Sequence, residues 1–77
     1  MKEETFKYEV VEHIAILSEA GSTTKELNIV SYNGGAPKYD LRQWRNMDGE
    51  LRMMKGITLT VEEAKALKEA LNSREDI

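Results

Sequence analysis

The hydrophobic pattern of this chain changes once, at Thr60, and that change constrains the fold more than any other feature. Before Thr60, apolar residues alternate with polar ones in four segments, a period of two that is typical of β-strands. After Thr60, apolar residues recur at every third or fourth position, which is typical of an amphipathic helix. This order predicts an α+β fold in which a four-stranded antiparallel sheet is followed by one C-terminal helix.

Turn-forming residues separate the four strand segments. Asn33-Gly34-Gly35 and Asp48-Gly49 are hairpin signals, because these residues tolerate a positive φ. Gly56 lies inside the last segment, where it predicts a β-bulge or the close approach of another backbone. The strands are predicted at residues 6–20, 25–32, 38–46 and 50–59.

The first segment alternates less cleanly than the others. Val11, Ala15 and Leu17 are apolar at positions where a strand with one wet face would carry polar residues. We therefore expect part of this strand to be covered on both faces.

The helix is predicted at about residues 61–72, with a frayed tail after it. Thr60 and Glu63 have the spacing of a capping box, in which each side chain bonds to the other residue's backbone N–H. One face of the helix is an apolar stripe, formed by Val61, Ala64, Leu67, Ala70 and Leu71.

The chain has 77 residues and a mass of 8.8 kDa, which predicts a single domain over residues 1–77 with a marginal core. It contains no cysteine, so disulfides and thiolate metal sites are excluded as sources of extra stability. A second copy is the remaining source of buried area, and we expect a homodimer. Its predicted interface is the helix stripe, with Val61, Ala64, Leu67 and Leu71 in contact.

Nothing in the residue pattern predicts an enzyme or a cofactor. His13 is the only histidine and has no nucleophile or carboxylate at motif spacing, so it is expected to be structural or exposed. Asp40 lies two residues from both Lys38 and Arg42, which indicates a local ion pair rather than a catalytic acid. No metal, membrane or small-molecule partner is predicted, and the expected location is the cytoplasm, with association with the nucleoid as a variant of it.

Charge is distributed unevenly along the chain. The formal net charge is −3, but residues 25–58 carry +2 while the flanking regions 1–24 and 59–77 carry −3 and −2. A local basic stripe determines anion binding more directly than the whole-chain charge does. The middle of the chain is therefore a candidate anion-binding region.

Basic and aromatic residues share this region. Lys38, Arg42 and Trp44 are predicted on one face of the third strand, and Tyr32 lies just before the preceding turn. Cations bind phosphates and flat rings stack on bases, so the set is typical of a single-strand binding platform. A solvated sheet face, with Trp44 half-buried in a core or a dimer seam, explains the same residues. The further basic candidates are Lys25, Arg45, Arg52 and Lys55.

Residues 39–71 resemble the C-terminal domain of the positive-cofactor-four family of transcriptional coactivators. The matching elements are Tyr39-Asp40-Leu41-Arg42, Trp44, Asp48-Gly49 and Lys55-Gly56-Ile57-Thr58-Leu59, the last leading into the helix. The upstream residues resemble the small bacterial, YdbC-like branch, and the resemblance extends over about residues 6–72.

This resemblance implies a curved four-stranded sheet, a homodimer formed through the helices, and single-stranded DNA bound across the sheets. It assigns binding roles to Arg42 and Lys55 as basic positions and to Tyr32 as an aromatic position. Either Trp44 or Arg45 falls at the aromatic end of the third strand.

The sequence thus predicts a homodimeric, coactivator-like binder of single-stranded DNA with little sequence preference, acting in transcription, replication or repair. RNA is a second candidate ligand, because stacking and phosphate contacts do not read the 2′-hydroxyl. The alternative is a protein-interaction dimer whose exposed sheet face or edge binds a polypeptide. The predicted nucleic-acid-binding residues are Lys25, Tyr32, Lys38, Arg42, Trp44, Arg45, Arg52 and Lys55.

Overall fold

A computed structural model describes residues 7–77 of the chain. Its strands form one antiparallel sheet in chain order, followed by one helix, which confirms the predicted architecture. The second strand begins two residues earlier than predicted and the third ends one residue later, while Phe6 of the predicted first strand lies outside the described residues. The elements are β1 (Tyr8–Ala20), β2 (Thr23–Tyr32), β3 (Lys38–Met47), β4 (Glu50–Leu59) and α1 (Val61–Asn72).

Strand β1 contains three β-bulges. Its 13 residues pair with only 10 of β2, and the pairing register skips Val11, Ile14 and Leu17. Each bulge sets two residues of β1 against one of β2, so the alternation of faces is interrupted every third residue. All three skipped residues are exposed. The expectation of a strand covered on both faces is therefore wrong, and the bulges explain the irregular pattern.

The sheet curls strongly toward one face, which we call the inner face. Tyr8 pairs with Tyr32 near one end of the sheet, whereas Trp44 pairs with Thr24 toward the other end. The Tyr8 and Trp44 rings nevertheless lie with their centroids 5.6 Å apart. Residues so far apart on a flat sheet could not touch, so the curl brings them together. The buried residues of the core all lie on this face: Asn28, Val30, Asp40 and Trp44.

The opposite face, which we call the helix face, carries α1 at one end. Leu27, Tyr39 and Leu59 lie beneath the helix and line a groove of about 550 Å³ together with its apolar stripe. No residue of α1 is buried, and Leu67 and Leu71 are exposed. A helix of 12 residues has little stability in water without tertiary packing. This chain alone therefore leaves the stripe without sufficient cover.

Local backbone chemistry sets the ends of these elements as the sequence predicts. Asn33 and Gly34 have φ values of 52° and 76°, and Asp48 and Gly49 have 57° and 81°, so both hairpin turns have two successive residues in the left-handed region. At the start of α1, the Glu63 backbone N–H donates to Thr60 Oγ1 at 3.1 Å. The Thr60 backbone N–H donates in return to Glu63 Oε1 at 2.9 Å.

The position of Gly56 predicts a close backbone approach or a β-bulge, and the structure has both. It pairs with Arg42, and a Cβ atom built on it would lie 1.9 Å from Arg42 Cβ and 2.6 Å from the Leu41 carbonyl oxygen. The register then shifts between Arg42 and Trp44, so two residues of β4 oppose Gln43. Close approach and bulge therefore occur together, next to Arg42.

Replacing Gly56 with alanine tests this constraint. We expect Gly56→Ala to lower the free energy of unfolding by about 3 kcal/mol, the upper end of the cost of overpacking, because the new methyl group meets backbone atoms. Urea unfolding at fixed protein concentration measures the loss. Gly21→Asn is the matched control, because Gly21 has open space around it and asparagine tolerates its φ of 62°. Equal unfolding midpoints for Gly56→Ala and the parent would show that β3 and β4 can separate at no cost.

Candidate nucleic-acid interface

The predicted binding residues lie on two faces of the sheet rather than one. Cross-strand pairing places Lys38, Arg42 and Trp44 on the inner face, as the alternation of β3 predicts, and Tyr32 joins them there through Asp40. The structure therefore separates the predicted set into two groups of four. The second group lies on the helix face and comprises Lys25, Arg45, Arg52 and Lys55.

On the inner face, three residues form what we call the Asp40 cluster: Tyr32, Asp40 and Arg42. The Asp40 carboxylate is fully buried and accepts from Arg42 Nε at 2.7 Å and from Arg42 Nη2 at 2.8 Å. The Tyr32 hydroxyl donates to the same carboxylate. Arg42 Nη1 donates to the Met54 carbonyl oxygen at 2.9 Å, which ties the cluster to β4. Arg42 is thus held at both ends of its guanidinium group.

The electrostatics of this cluster fix its protonation. Burial, and then the hydrogen bond to Asp40, raises the pKa of Tyr32 to about 12. The hydrogen bond to Asp40 also raises the pKa of Arg42, against the opposing effect of burial. Tyr32 is therefore neutral and Arg42 charged at neutral pH. The charge of Arg42 is balanced by a buried carboxylate, which leaves less of it for a phosphate.

Trp44 belongs to the core. The residue is 3% exposed and its ring packs against Tyr8, and its indole Nε1 has no hydrogen-bond partner among the described residues. Stacking on a base requires an open ring face, which this position does not offer. The predicted stacking role of Trp44 is therefore not supported. Trp44 instead lies in the core, as the alternative interpretation of the sequence proposes.

A polar network beside the Asp40 cluster has no signal in the sequence. His13 Nδ1 lies 2.7 Å from Asn28 Oδ1, and Asn28 is almost completely buried. Asn28 Nδ2 donates to Glu26 Oε1 at 3.4 Å, and the other oxygen of Glu26 accepts from Thr24. Satisfying a buried amide in this way stabilises the core. His13 is half-exposed and hydrogen-bonded, as expected of a structural residue.

The helix face brings together four cations, which we call the basic patch: Lys25, Arg45, Arg52 and Lys55. They occupy two neighbouring cross-strand rows at the end of the sheet that α1 does not cover. All four are exposed, and within residues 7–77 none of them has a side-chain hydrogen bond or an ion pair. Arg45 and Arg52 are direct cross-strand partners, and like charges in that position repel each other. A bound anion would remove this repulsion.

Pairing of the strands also separates charges that alternate in sequence. Glu26 and Asp40 lie between basic residues in the chain, but both side chains turn to the inner face, where they are hydrogen-bonded. The basic patch is therefore free of their charge on the helix face. A chain with a net charge of −3 can present a positive surface because its sheet has two sides.

A shallow depression of about 490 Å³ adjoins the patch. Leu41, Gly56 and Ile57 line it, Lys25 and Lys55 flank it, and Arg42 also contributes to its lining. Gln43 lies between the two lysines and also lines it. Nothing in the sequence marks Gln43 as a site residue, because only the cross-strand register places it beside the cations.

Residues 7–77 contain no group of three or more acidic, histidine or cysteine side chains arranged to hold a metal ion. Over the same residues, no helix has the length and hydropathy needed to cross a bilayer.

Comparison with known proteins identifies the family. Residues 19–70 match the family model described as Transcriptional Coactivator p15 (PC4). The chain belongs to this family. A protein of Treponema pallidum (strain Nichols), described as uncharacterized, is 42% identical over 69 residues, which cover 88% of this chain and 79% of the relative. Membership of the PC4 family indicates a nucleic-acid-binding or coactivator-like role, and confirms the resemblance at the level of the family. The bacterial branch stays a prediction.

The Asp40 cluster predicts a specific alkaline transition. Because the pKa of Tyr32 rises from 10.0 to about 12 on folding, its contribution to stability is complete below pH 10 and is lost as the pH rises through about 12. The free energy of unfolding, measured in urea across this range, should fall more steeply for the parent than for Tyr32→Phe. Tyr39→Phe leaves the Tyr32–Asp40 bond intact and should follow the parent. Parallel curves for the parent and Tyr32→Phe would show that Asp40 does not hold the hydroxyl proton.

Proposed function

We propose that the protein is a homodimeric binder of single-stranded DNA, with no catalytic activity. The observation that carries the proposal is the basic patch, four exposed cations on one face of the sheet that have no ion pair within residues 7–77, in a chain of the PC4 family. Phosphate contacts supply most of the affinity of such proteins, and these contacts need exposed cations that have no internal partner.

We assign phosphate binding to the basic patch rather than to Arg42. The patch extends across three strands, which is about 10 Å at the usual spacing of strands in a sheet. An anion that binds between Arg45 and Arg52 reduces the electrostatic repulsion between them, so this repulsion in the free protein favours anion binding. Arg42 has Asp40 as its counterion, and we assign it, with Tyr32 and Trp44, to the stability of the inner face. Lys38 is exposed on the inner face, apart from the patch.

Preference for single strands follows from the depression beside the patch. Leu41 and Ile57 present apolar surface next to cations, and an unpaired base can cover that surface while its phosphates meet the lysines. A duplex keeps its bases stacked and paired, so it can offer only its phosphates. Single strands therefore gain a contact that duplexes do not.

A second copy of the chain is the proposed cover for the helix stripe. The radius of gyration is 14.5 Å, compared with about 11.5 Å for a compact chain of this length. The groove beside α1 is apolar and open, and Leu67 and Leu71 face solvent. Pairing of two such helices would bury Val61, Ala64, Leu67 and Leu71 at once, as an isologous interface does.

One observation favours the alternative, a surface for a polypeptide. The bulged residues Val11, Ile14 and Leu17 form an exposed apolar row along β1, an edge strand. Apolar rows on edges are typical of protein contacts. Such binding would depend little on salt, which separates it from binding to phosphates.

The dimer is tested by placing a charge on the stripe. We expect Leu67→Glu to lower the association constant at least about tenfold and to lower the melting temperature with it, because folding and assembly are coupled in small chains. Sedimentation velocity at micromolar concentration measures the first quantity and thermal unfolding the second. Glu69→Gln, an exposed change elsewhere on the helix, should alter neither. A parent protein that sediments as a stable monomer would refute the dimer.

Binding is tested by fluorescence anisotropy with oligo-dT, oligo-rU and duplex DNA at several salt concentrations. If about four phosphates are engaged, the slope of log K against log salt on single strands should be near −3. Arg52→Gln should weaken binding and reduce the slope by about 0.7, because one fewer counterion is released. Arg74→Gln removes an arginine that pairs with Asp76 outside the patch, and should leave the slope unchanged.

Two results would refute this mechanism. One is a slope near zero for the parent, which would favour the polypeptide surface. The other is tighter binding of duplex than of single strands, since the depression would then contribute nothing. Tighter binding of oligo-rU than of oligo-dT would assign the same surface to RNA instead of DNA.

A further inference from the structure

We propose that the depression beside the basic patch is a nucleobase subsite, in which the Gln43 side-chain amide reads the edge of one unpaired base. This inference rests on the proposed function and adds to it a residue that determines specificity. The subsite consists of Leu41, Gly56 and Ile57 as its floor, Gln43 as the reading group, and Lys25 and Lys55 at its sides, and Arg42 also contributes to its lining.

The floor suits a flat ring. Leu41 and Ile57 are cross-strand partners, and Ile57 is 56% exposed although it is apolar. Gly56 adds backbone but no side chain, because any Cβ there would collide with Arg42. The depression is shallow and open, with a volume of about 490 Å³. A base lying on this floor would cover apolar surface that is otherwise in water.

Gln43 is placed to recognise such a base. It pairs with Lys25 across β2 and β3 and opposes the bulge of β4, so its side chain lies between the two lysines. It is exposed, and within residues 7–77 no hydrogen bond to its amide is present. An amide offers an acceptor and donors side by side, which matches the N6 and N7 positions of adenine.

The two lysines complete the subsite. Lys25 lies on β2 and Lys55 on β4, on either side of Gln43 on β3, so they can contact phosphates on both sides of one nucleotide. Neither has an ion pair within the described residues. Fixing the backbone on both sides holds the base over the floor, where its edge meets the amide. We therefore expect a modest preference for adenine within an otherwise tolerant surface.

The experiment uses three single strands of equal length: oligo-dT, oligo-dT with adenine at every third position, and an abasic strand. Anisotropy titrations of the intact parent should give about fivefold tighter binding of the adenine-containing strand than of oligo-dT, near the lower limit for a bidentate base contact. The abasic strand should bind most weakly, because it offers phosphates alone.

Gln43→Ala and Gln43→Leu should remove the difference between the first two strands. They should leave the affinity for the abasic strand and the salt slope unchanged, which a general loss of folding would not do. Gln43→Leu keeps apolar bulk beside the floor, so its affinity for oligo-dT should stay near that of the parent. Lys25→Gln is the matched control within the subsite. This change should weaken the binding of all three strands by a similar factor and reduce the salt slope by about 0.7.

The remaining outcomes distinguish a failure of the subsite from a failure of the proposed function. If the parent binds oligo-dT and the adenine-containing strand equally, or if the Gln43 variants keep the preference of the parent, the subsite is refuted while binding of single strands stands. Equal affinity for the abasic strand and oligo-dT also refutes it, and leaves a surface that binds phosphates only. If none of the three strands binds, the proposed function fails and the subsite fails with it.

Discussion

The fully buried carboxylate of Asp40 is the constraint on which the rest of the structure depends. It needs Arg42 as a counterion and Tyr32 as a further donor, and Arg42 in turn holds the Met54 carbonyl of β4. Three strands are thereby tied together at one point, and the removal of either charge would leave the other without its counterion. The close approach at Gly56 belongs to the same arrangement, since that glycine lies directly against Arg42.

The Asp40 cluster also decides where charge is available for a ligand. By holding Arg42 beside Asp40 on the inner face, it leaves the helix face as the proposed site of phosphate contacts, where the four cations of the basic patch have no ion pair within residues 7–77. The sheet thus has an inner face that supports the fold and an outer, helix-bearing face that can bind. Its curl explains this difference, because the inner face packs against itself through Tyr8 and Trp44.

Much of the fold could be predicted from local chemistry. Positive-φ residues at Asn33 and Asp48 mark the hairpins, and Thr60 with Glu63 marks the start of the helix. The bulges of β1 could not be predicted in this way. A bulge is defined by the pairing of two strands, and in the sequence it shows only as an imperfect alternation of apolar residues. Trp44 was ambiguous for a similar reason, because exposure of its ring depends on how far the sheet curls.

The sequence by itself determined the element order, the turns, the helix cap and the identity of the basic residues, because each depends on neighbours within a few positions. Tertiary structure alone decided which cations share a surface. Residues 25–58 carry both signs of charge. Alternation separates neighbouring charges within each strand, but only strand pairing brings Glu26 and Asp40 together on one face and the basic patch together on the other. It also decided that Gln43 lies between two lysines, since the cross-strand register, and not proximity along the chain, sets which side chains meet.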